Sequence, residues 1–190
     1  GDDTTGDDTT GDDPTGDDTT GDDTTSDNAA WRWDPEIDGY SSYNSLTAVD
    51  GDTFTTFTKT GVDPHVYPGA CAGNLDQGGL GAIDATNNKF LIIVYRMNDA
   101  VDGAYGGFFA NIAPLVDMDV YNASGEWEAI LIDLSNAQNW TGNVNWFRFE
   151  AFDDNIATAS VDVDYVAVYA SAEDAIADFE STGDDTTGDD

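Results

Sequence analysis

Apolar residues between positions 43 and 169 fall into short segments separated by glycine and aspartate, and this pattern limits the fold more than any other feature. Segments of that length with such punctuation are typical of β-strands, and the region contains no long amphipathic helix. The predicted strands are residues 43–49, 53–58, 65–67, 90–96, 107–112, 128–134, 144–150 and 161–169. So many strands in one domain predict an all-β fold, an antiparallel β-sandwich (jelly roll) of two packed sheets. Residues 172–179 form the one predicted helix, after the last strand.

Two of these strands show how side chains are distributed between the faces of a sheet. Residues 90–94 are apolar at every position, as in a central strand that is buried on both faces. In the predicted strand at residues 144–150, Phe147 and Phe149 alternate with Trp146 and Arg148. Because successive side chains of a strand point to opposite faces, the two phenylalanines are predicted to share one face, and Trp146 and Arg148 the other.

Both ends of the chain carry a five-residue repeat without apolar side chains. The unit Gly-Asp-Asp-Thr-Thr recurs from residue 1 to residue 25, with one variant at Pro14, and returns at residues 183–187. Because such a repeat cannot form a packed core, residues 1–29 and 183–190 are predicted to be disordered linkers around a domain at residues 30–182. The paired threonines suit O-glycosylation and the paired aspartates suit calcium, and both alternatives stay open. Matching linkers on both sides predict one module of a larger secreted, extracellular or cell-surface protein.

The chain is strongly acidic, with 39 acidic residues, 5 basic residues and a net charge of −34. Binding to nucleic acid or to an anionic membrane surface needs clustered lysine and arginine, so neither partner is expected. No apolar run approaches the roughly 20 residues of a membrane-spanning helix. Such acidity suits a protein that works in high salt and also serves solubility alone, and the sequence does not separate the two.

The sequence contains no recognisable catalytic motif. With one histidine, His65, and one cysteine, Cys71, it offers no metal-binding histidine cluster and no intramolecular disulfide. It also lacks a nucleophile elbow and a phosphate-binding loop. A glycosidase-like pair of carboxylates is the one catalytic arrangement that sequence alone does not exclude in so acidic a chain. The chain is therefore predicted not to be an enzyme.

Several motifs, in their order along the chain, resemble one known family. They are Trp-Arg-Trp-Asp at 31–34, Gly-Val-Asp-Pro-His-Val at 61–66, Gly-Glu-Trp at 125–127, Asn-Trp-Thr-Gly at 139–142 and Val-Asp-Tyr-Val at 163–166. Together they are similar to the galactose-binding-domain-like jelly-roll carbohydrate-binding modules of secreted multimodular bacterial proteins, over residues 31–180. The sequence departs from that family at residues 148–151, where Arg-Phe-Glu-Ala replaces the usual Arg-Ile-Asp-Pro.

The resemblance implies a non-catalytic module that binds carbohydrate, such as a polysaccharide, in a groove on one sheet or at loops along one edge. The expected partners are a glycan and the other modules of the same polypeptide. The alternative is a structural or adhesive subunit of a surface layer or extracellular filament, which would join its neighbours through sheet edges. Three or more solvent-exposed rings around a groove would favour the carbohydrate-binding interpretation.

A single glycan-binding face is predicted from five residues. Sugar recognition requires a flat ring for stacking and forked polar groups for the hydroxyls. His65 and Tyr67 share one face of their strand, and Tyr105 lies in a glycine-rich loop at the predicted rim. Arg96 and Arg148 occupy mid-strand positions where a core would require apolar residues. Arginine there indicates either bidentate recognition of sugar hydroxyls or uronates, or an ion pair with a nearby acid.

The resemblance also implies a structural calcium ion, held by acids of the last strand and of an opening strand at the Trp-Arg-Trp-Asp motif, residues 31–34. The candidates are Asp34, Glu36 and Asp164, because carboxylate oxygens that converge from two strands supply ligands that calcium prefers. The alternative is that these three are ordinary solvated acids, which are abundant in a chain of this composition.

Overall fold

Thirteen strands and three helices make up the part of the chain that the computed structural model describes, namely residues 28–70, 72–97, 101 and 104–182. The strands are β1 (Trp31–Trp33), β2 (Tyr40–Asn44), β3 (Leu46–Asp50), β4 (Thr55–Lys59), β5 (His65–Pro68), β6 (Ile83–Asp84), β7 (Phe90–Arg96), β8 (Gly107–Ala110), β9 (Ala113–Asp117), β10 (Glu128–Asp133), β11 (Asn143–Val144), β12 (Phe147–Glu150) and β13 (Ser160–Tyr169). The helices are α1 (Pro35–Asp38), α2 (Leu75–Gly78) and α3 (Ala172–Thr182).

These strands form two large antiparallel sheets and one small pair. The six-stranded sheet has the order β10-β7-β13-β4-β3, and β1 also pairs with β13. The five-stranded sheet has the order β2-β5-β12-β8-β9, while β6 and β11 pair with each other. The predicted all-β fold, an antiparallel sandwich, is therefore confirmed.

The core between the two large sheets is rich in aromatic rings. Phe149 of the five-stranded sheet meets Trp33 and Phe57 of the six-stranded sheet, with ring centroids 6.3 Å apart in both pairs. Phe108 stacks on Phe149 and on Phe147, at 5.2 and 5.3 Å. Edge-to-face and offset stacked pairs of this kind add about 0.5–1.5 kcal/mol each beyond the burial of their area. Because Phe147 and Phe149 both face this core, their predicted common face is confirmed.

The six-stranded sheet is also covered on part of its outer face, by helix α3. Leu91 and Ile93 of β7 belong to the core between the sheets, whereas Ile92 and Val94 belong to a second apolar cluster under α3. Ala175 of the helix is fully buried in that second cluster. This double burial explains the uninterrupted apolar run at residues 90–94, and the predicted central strand is confirmed.

The predicted linkers lie outside the described residues, except for Asn28 and Ala29. Ala29 packs against the cluster under α3, and the backbone N–H of Ala30 donates to the carbonyl of Val168 at 2.8 Å. The predicted disorder of the repeats therefore remains a prediction. Cys71 also lies outside the described residues. Among the described helices, none is long and apolar enough to cross a membrane.

Candidate functional site

The outer face of the five-stranded sheet carries rings and charged groups instead of the apolar residues that face the core. We call this the β5–β12 surface. It is formed by Asp63, His65, Tyr67, Phe109, Trp146, Arg148 and Glu150. The arrangement follows from strand alternation, because Val66 of β5 and the phenylalanines of β12 use the opposite face.

Three rings form a continuous edge-to-face series on this surface. The ring centroids of His65 and Tyr67 are 5.2 Å apart, and those of Tyr67 and Trp146 are 5.4 Å apart. Tyr67 and Trp146 are both half-buried, so part of each ring is accessible to solvent. Gly73 backs the pair, since a Cβ on it would lie 2.6 Å from Nε1 of Trp146 and 2.7 Å from Cδ1 of Tyr67. The close approach of this backbone holds both rings in place, and φ of +86° at Gly73 further favours glycine.

Arg148 provides the forked polar group beside these rings. Its guanidinium lies over the ring of Phe109, with Cζ 4.6 Å from the centroid, and donates to the carboxylates of Asp63 and Glu150. Burial raises the pKa of Glu150, while the charge of Arg148 opposes that rise. Nδ1 of His65 lies 2.9 Å from the carbonyl oxygen of Asp63. Of the two alternatives for Arg148, the structure shows the ion pair, with the guanidinium still on the outer face of the sheet.

The five predicted glycan-binding residues do not form one face. Arg96 ends β7 in the six-stranded sheet, so the core of the sandwich separates it from Arg148, and the prediction of one shared face is corrected. Alternation along a strand assigns a side chain to a face, but it does not tell which sheet the strand joins. Tyr105 is partly exposed in the loop before β8, where its carbonyl accepts a hydrogen bond from the N–H of Asp153 at 2.8 Å. The negative charge of Asp153 raises the pKa of the Tyr105 hydroxyl.

Sequence reasoning left Phe109, Asp63, Glu150 and Trp146 out of the predicted site. The alternation at residues 146–149 was the available signal for Trp146, because it placed this ring on the same face as Arg148. Phe109 had no such signal. It reaches Arg148 through the pairing of β8 with β12, where the two residues lie opposite each other.

The three predicted calcium ligands do converge. Asp34 follows β1, Glu36 lies in α1, and Asp164 is the extra residue where the pairing of β13 with β7 shifts register. One carboxylate oxygen from each lies within 4.8 Å of the others. This convergence is what a cation site requires, although sequence spacing alone could not demonstrate it.

One observation suits a hard cation at this acidic group, and a second opposes it. Oε2 of Glu36 is buried and has no hydrogen-bond partner among the described residues, and burial raises the pKa of Glu36 to about 7. The side chain of Arg32 donates to both carboxylate oxygens of Asp34, at 2.9 and 3.0 Å, and its positive charge opposes a cation at Asp34. A divalent ion would supply the partner that Oε2 of Glu36 lacks, so the residues fit calcium.

The chain matches no protein-family model and no curated protein. Similar solved structures include an exo-β-1,3-galactanase from Phanerochaete chrysosporium, at 16% identity and a TM-score of 0.47, where the match covers 73% of this chain and 29% of the galactanase. The C-terminal CBM6 of LamC, a laminarinase from Zobellia galactanivorans, has 9% identity and a TM-score of 0.43, over 73% of this chain and 97% of the module. CBM1 of BiXyn10A has 12% identity and a TM-score of 0.45, over 75% and 99%. Two of these three structures are named as carbohydrate-binding modules.

Proposed function

We propose that this protein is a non-catalytic carbohydrate-binding module and that a polysaccharide binds to the β5–β12 surface. The supporting observation is the half-buried ring pair of Tyr67 and Trp146 beside Arg148 on an outer sheet face. The C–H face of a sugar stacks on an aromatic ring, and its hydroxyl pairs match forked donors and carboxylate acceptors. Arg148, Asp63 and Glu150 offer both kinds of polar group.

The charge of this surface favours a neutral polysaccharide. The guanidinium of Arg148 is already paired with the carboxylates of Asp63 and Glu150, and the whole chain has a net charge of −34. A uronate or sulfate group would have to approach these carboxylates and would be repelled, whereas hydroxyls can donate to them. In this proposal the module belongs to a larger extracellular protein, whose other modules lie beyond the repeats.

Substitution of the ring pair tests the proposed function. In affinity gel electrophoresis with soluble β-glucan, xylan, mannan and pectin, we expect a neutral polymer to retard the protein and pectin not to. Tyr67→Ala and Trp146→Ala should each weaken binding about tenfold or more, because losing a stacked ring removes about 1.5–3 kcal/mol of buried contact. Tyr105→Ala tests the prediction that Tyr105 lies at the rim of the glycan-binding site, in which case this variant should also weaken binding.

The control for these variants is Ile112→Ala, which removes a side chain that is 79% exposed at the turn between β8 and β9. It should leave retardation unchanged. The melting temperature of each variant should first be shown to match that of the wild-type protein, so that a loss of binding is not a loss of folding. If no polymer retards the wild-type protein at millimolar sugar, the proposal fails and a structural role in a surface layer or filament takes its place. Unchanged retardation of Trp146→Ala would place the binding site elsewhere.

We also propose that Asp34, Glu36 and Asp164 hold a structural calcium ion. A ligand that binds only the folded state adds RT ln(1 + [L]/Kd) to the free energy of unfolding, or about 2.7 kcal/mol at a hundredfold excess over Kd. Chelator should therefore lower the melting temperature by about 5–10 °C. Asp164→Asn should make the melting temperature insensitive to calcium and chelator, whereas Asp76→Asn in the exposed first turn of α2 should keep the full response. A wild-type melting curve that chelator does not move would disprove the site.

A further inference from the structure

A second surface with rings and an arginine lies on the other side of the molecule, on the outer face of the six-stranded sheet. We call this the β7–β13 surface, and it is formed by Phe54, Thr56, Arg96, Trp127 and Asp162. Arg96 lies opposite Asp162 of β13, and Asp162 lies opposite Thr56 of β4, so these three residues cross neighbouring strands in one row. Helix α3 covers Ile92 and Val94 of β7, whereas Arg96 lies at the far end of that strand.

The side chain of Arg96 is held in place from several directions. Its Cζ is 5.0 Å from the ring centroid of Phe54 and 4.7 Å from that of Trp127, and these two rings meet edge to face at 5.7 Å. Its Nε and Nη2 both donate to Oδ2 of Asp162, at 3.0 and 2.7 Å. The hydroxyl of Thr56 donates to Oδ1 of the same carboxylate at 2.7 Å. A surface that is oriented before a ligand arrives loses little conformational entropy on binding.

These groups are not needed to fill the core between the sheets. Phe54 and Trp127 are half-buried on the outside of the sandwich, and the side chain of Arg96 is 27% exposed. Trp127 also packs against the apolar cluster under α3, which fixes one side of its indole. The two rings, the guanidinium and the carboxylate repeat the set of groups on the β5–β12 surface, although the residues come from different strands and a different sheet.

Charge and hydroxyl groups indicate what this second surface would bind. Arg96 is neutralised by Asp162, so the surface offers no uncompensated positive charge to an anionic ligand. Next along the sheet, the hydroxyls of Thr58 and Ser160 form a hydrogen bond at 2.7 Å and extend the polar row. Rings beside hydroxyl and carboxylate groups suit a neutral sugar chain, as on the first surface.

We propose that the β7–β13 surface is a second binding site for neutral polysaccharide, which makes the module bivalent. This inference rests on the proposed function of the β5–β12 surface. Because the two sites lie on opposite sides of the sandwich, one short oligosaccharide cannot occupy both. Each molecule would therefore link two polysaccharide chains, or two distant segments of one chain, and the second contact would gain from high local concentration.

The test measures stoichiometry and cross-linking with the full chain. Hexasaccharides prepared from β-glucan, xylan and mannan are titrated calorimetrically, and light scattering is recorded with the intact polymers. The wild-type protein should bind two hexasaccharides and should increase scattering by joining polymer chains. Trp127→Ala and Trp146→Ala should each bind one and lose the scattering increase, and the double variant should bind none. Phe54→Leu, which keeps apolar bulk but removes the second ring, provides an independent variant of the β7–β13 surface.

The possible results separate this inference from the proposed function. Binding of one hexasaccharide by the wild-type protein, lost in Trp146→Ala and kept in Trp127→Ala and Phe54→Leu, would overturn bivalency and leave the β5–β12 site intact. Binding of one hexasaccharide that only the Trp127 and Phe54 variants lose would overturn bivalency and move the site to the other sheet. A complete lack of binding by the wild-type protein would overturn both proposals.

Discussion

Trp33→Ala is expected to lower the free energy of unfolding by about 3–5 kcal/mol, the usual cost of truncating a buried aromatic side chain. Trp33 has no exposed surface, and its ring meets Phe57 of the same sheet at 6.5 Å and Phe149 of the opposite sheet at 6.3 Å. Its Nε1 also donates to the carbonyl of Gly39 at 2.9 Å, so truncation leaves that acceptor without its partner. Domains of this size are stable by only about 5–15 kcal/mol, so the loss is a large share of the total.

Urea denaturation measures this effect as a lower midpoint with an unchanged slope. Trp33→Phe is the matched variant, because it keeps a ring between the sheets while removing the indole hydrogen bond, and it should lose clearly less stability. A midpoint for Trp33→Ala within error of the wild type would mean that the two sheets do not share this aromatic core.

The strands that could be predicted from sequence are those whose neighbours impose a regular pattern. Residues 90–96 were predicted as a strand from their apolar run, and the structure gives the same bounds. The run is apolar because β7 lies between β10 and β13 and is buried on both faces. Residues 147–150 alternate because one face of β12 meets the core and the other meets solvent. In both cases the pattern depends only on which faces are buried, and that information is local.

The strand breaks that were missed depend on single residues in unusual backbone conformations. The predicted strand at residues 43–49 is two strands, β2 and β3, which belong to different sheets. Ser45 lies between them with φ of 50°, a left-handed conformation that turns the chain from one sheet to the other. Likewise β9 was missed, because Asn111 and Ile112 have φ of 49° and 69° and form a turn that lacks the usual glycine.

Local sequence patterns predicted which candidate residues lie together only where both partners are close in sequence or on one strand, whereas Asp34, Glu36 and Asp164 were predicted from the family resemblance. His65 and Tyr67 were placed together because they are two residues apart on β5. Whether Arg96 and Arg148 share a sheet depends on pairing between strands far apart in sequence, which no local pattern encodes. Asp164 reaches the acidic cluster through a register shift in β13, and the sequence Val-Asp-Val-Asp-Tyr does not indicate which residue is the extra one.

Ala175→Glu is expected to separate helix α3 from the six-stranded sheet and to lower the melting temperature by about 10 °C. Ala175 has no exposed surface and lies in the cluster that contains Ile92, Val94 and Tyr169. A carboxylate at this position would be buried in this cluster, and Arg32, which lies over the ring of Tyr165, already pairs with Asp34 and Asp178. Burying the added charge costs several kcal/mol unless the helix moves away. Once the helix moves, the apolar face of β7 and β13 becomes exposed, so the variant should also bind a hydrophobic dye such as ANS.

Ile176→Glu is the matched control, because it introduces the same charge one residue further along the helix at a position that is 45% exposed. It should change the free energy of unfolding by no more than about 0.5 kcal/mol, the range of ordinary surface substitutions, and so leave the melting temperature nearly unchanged. The difference between the two variants therefore reports the docking of α3 and not the addition of one more negative charge to an acidic chain. Equal effects of the two substitutions would show that α3 does not pack on the sheet, and the folded domain would then end with β13 at Tyr169.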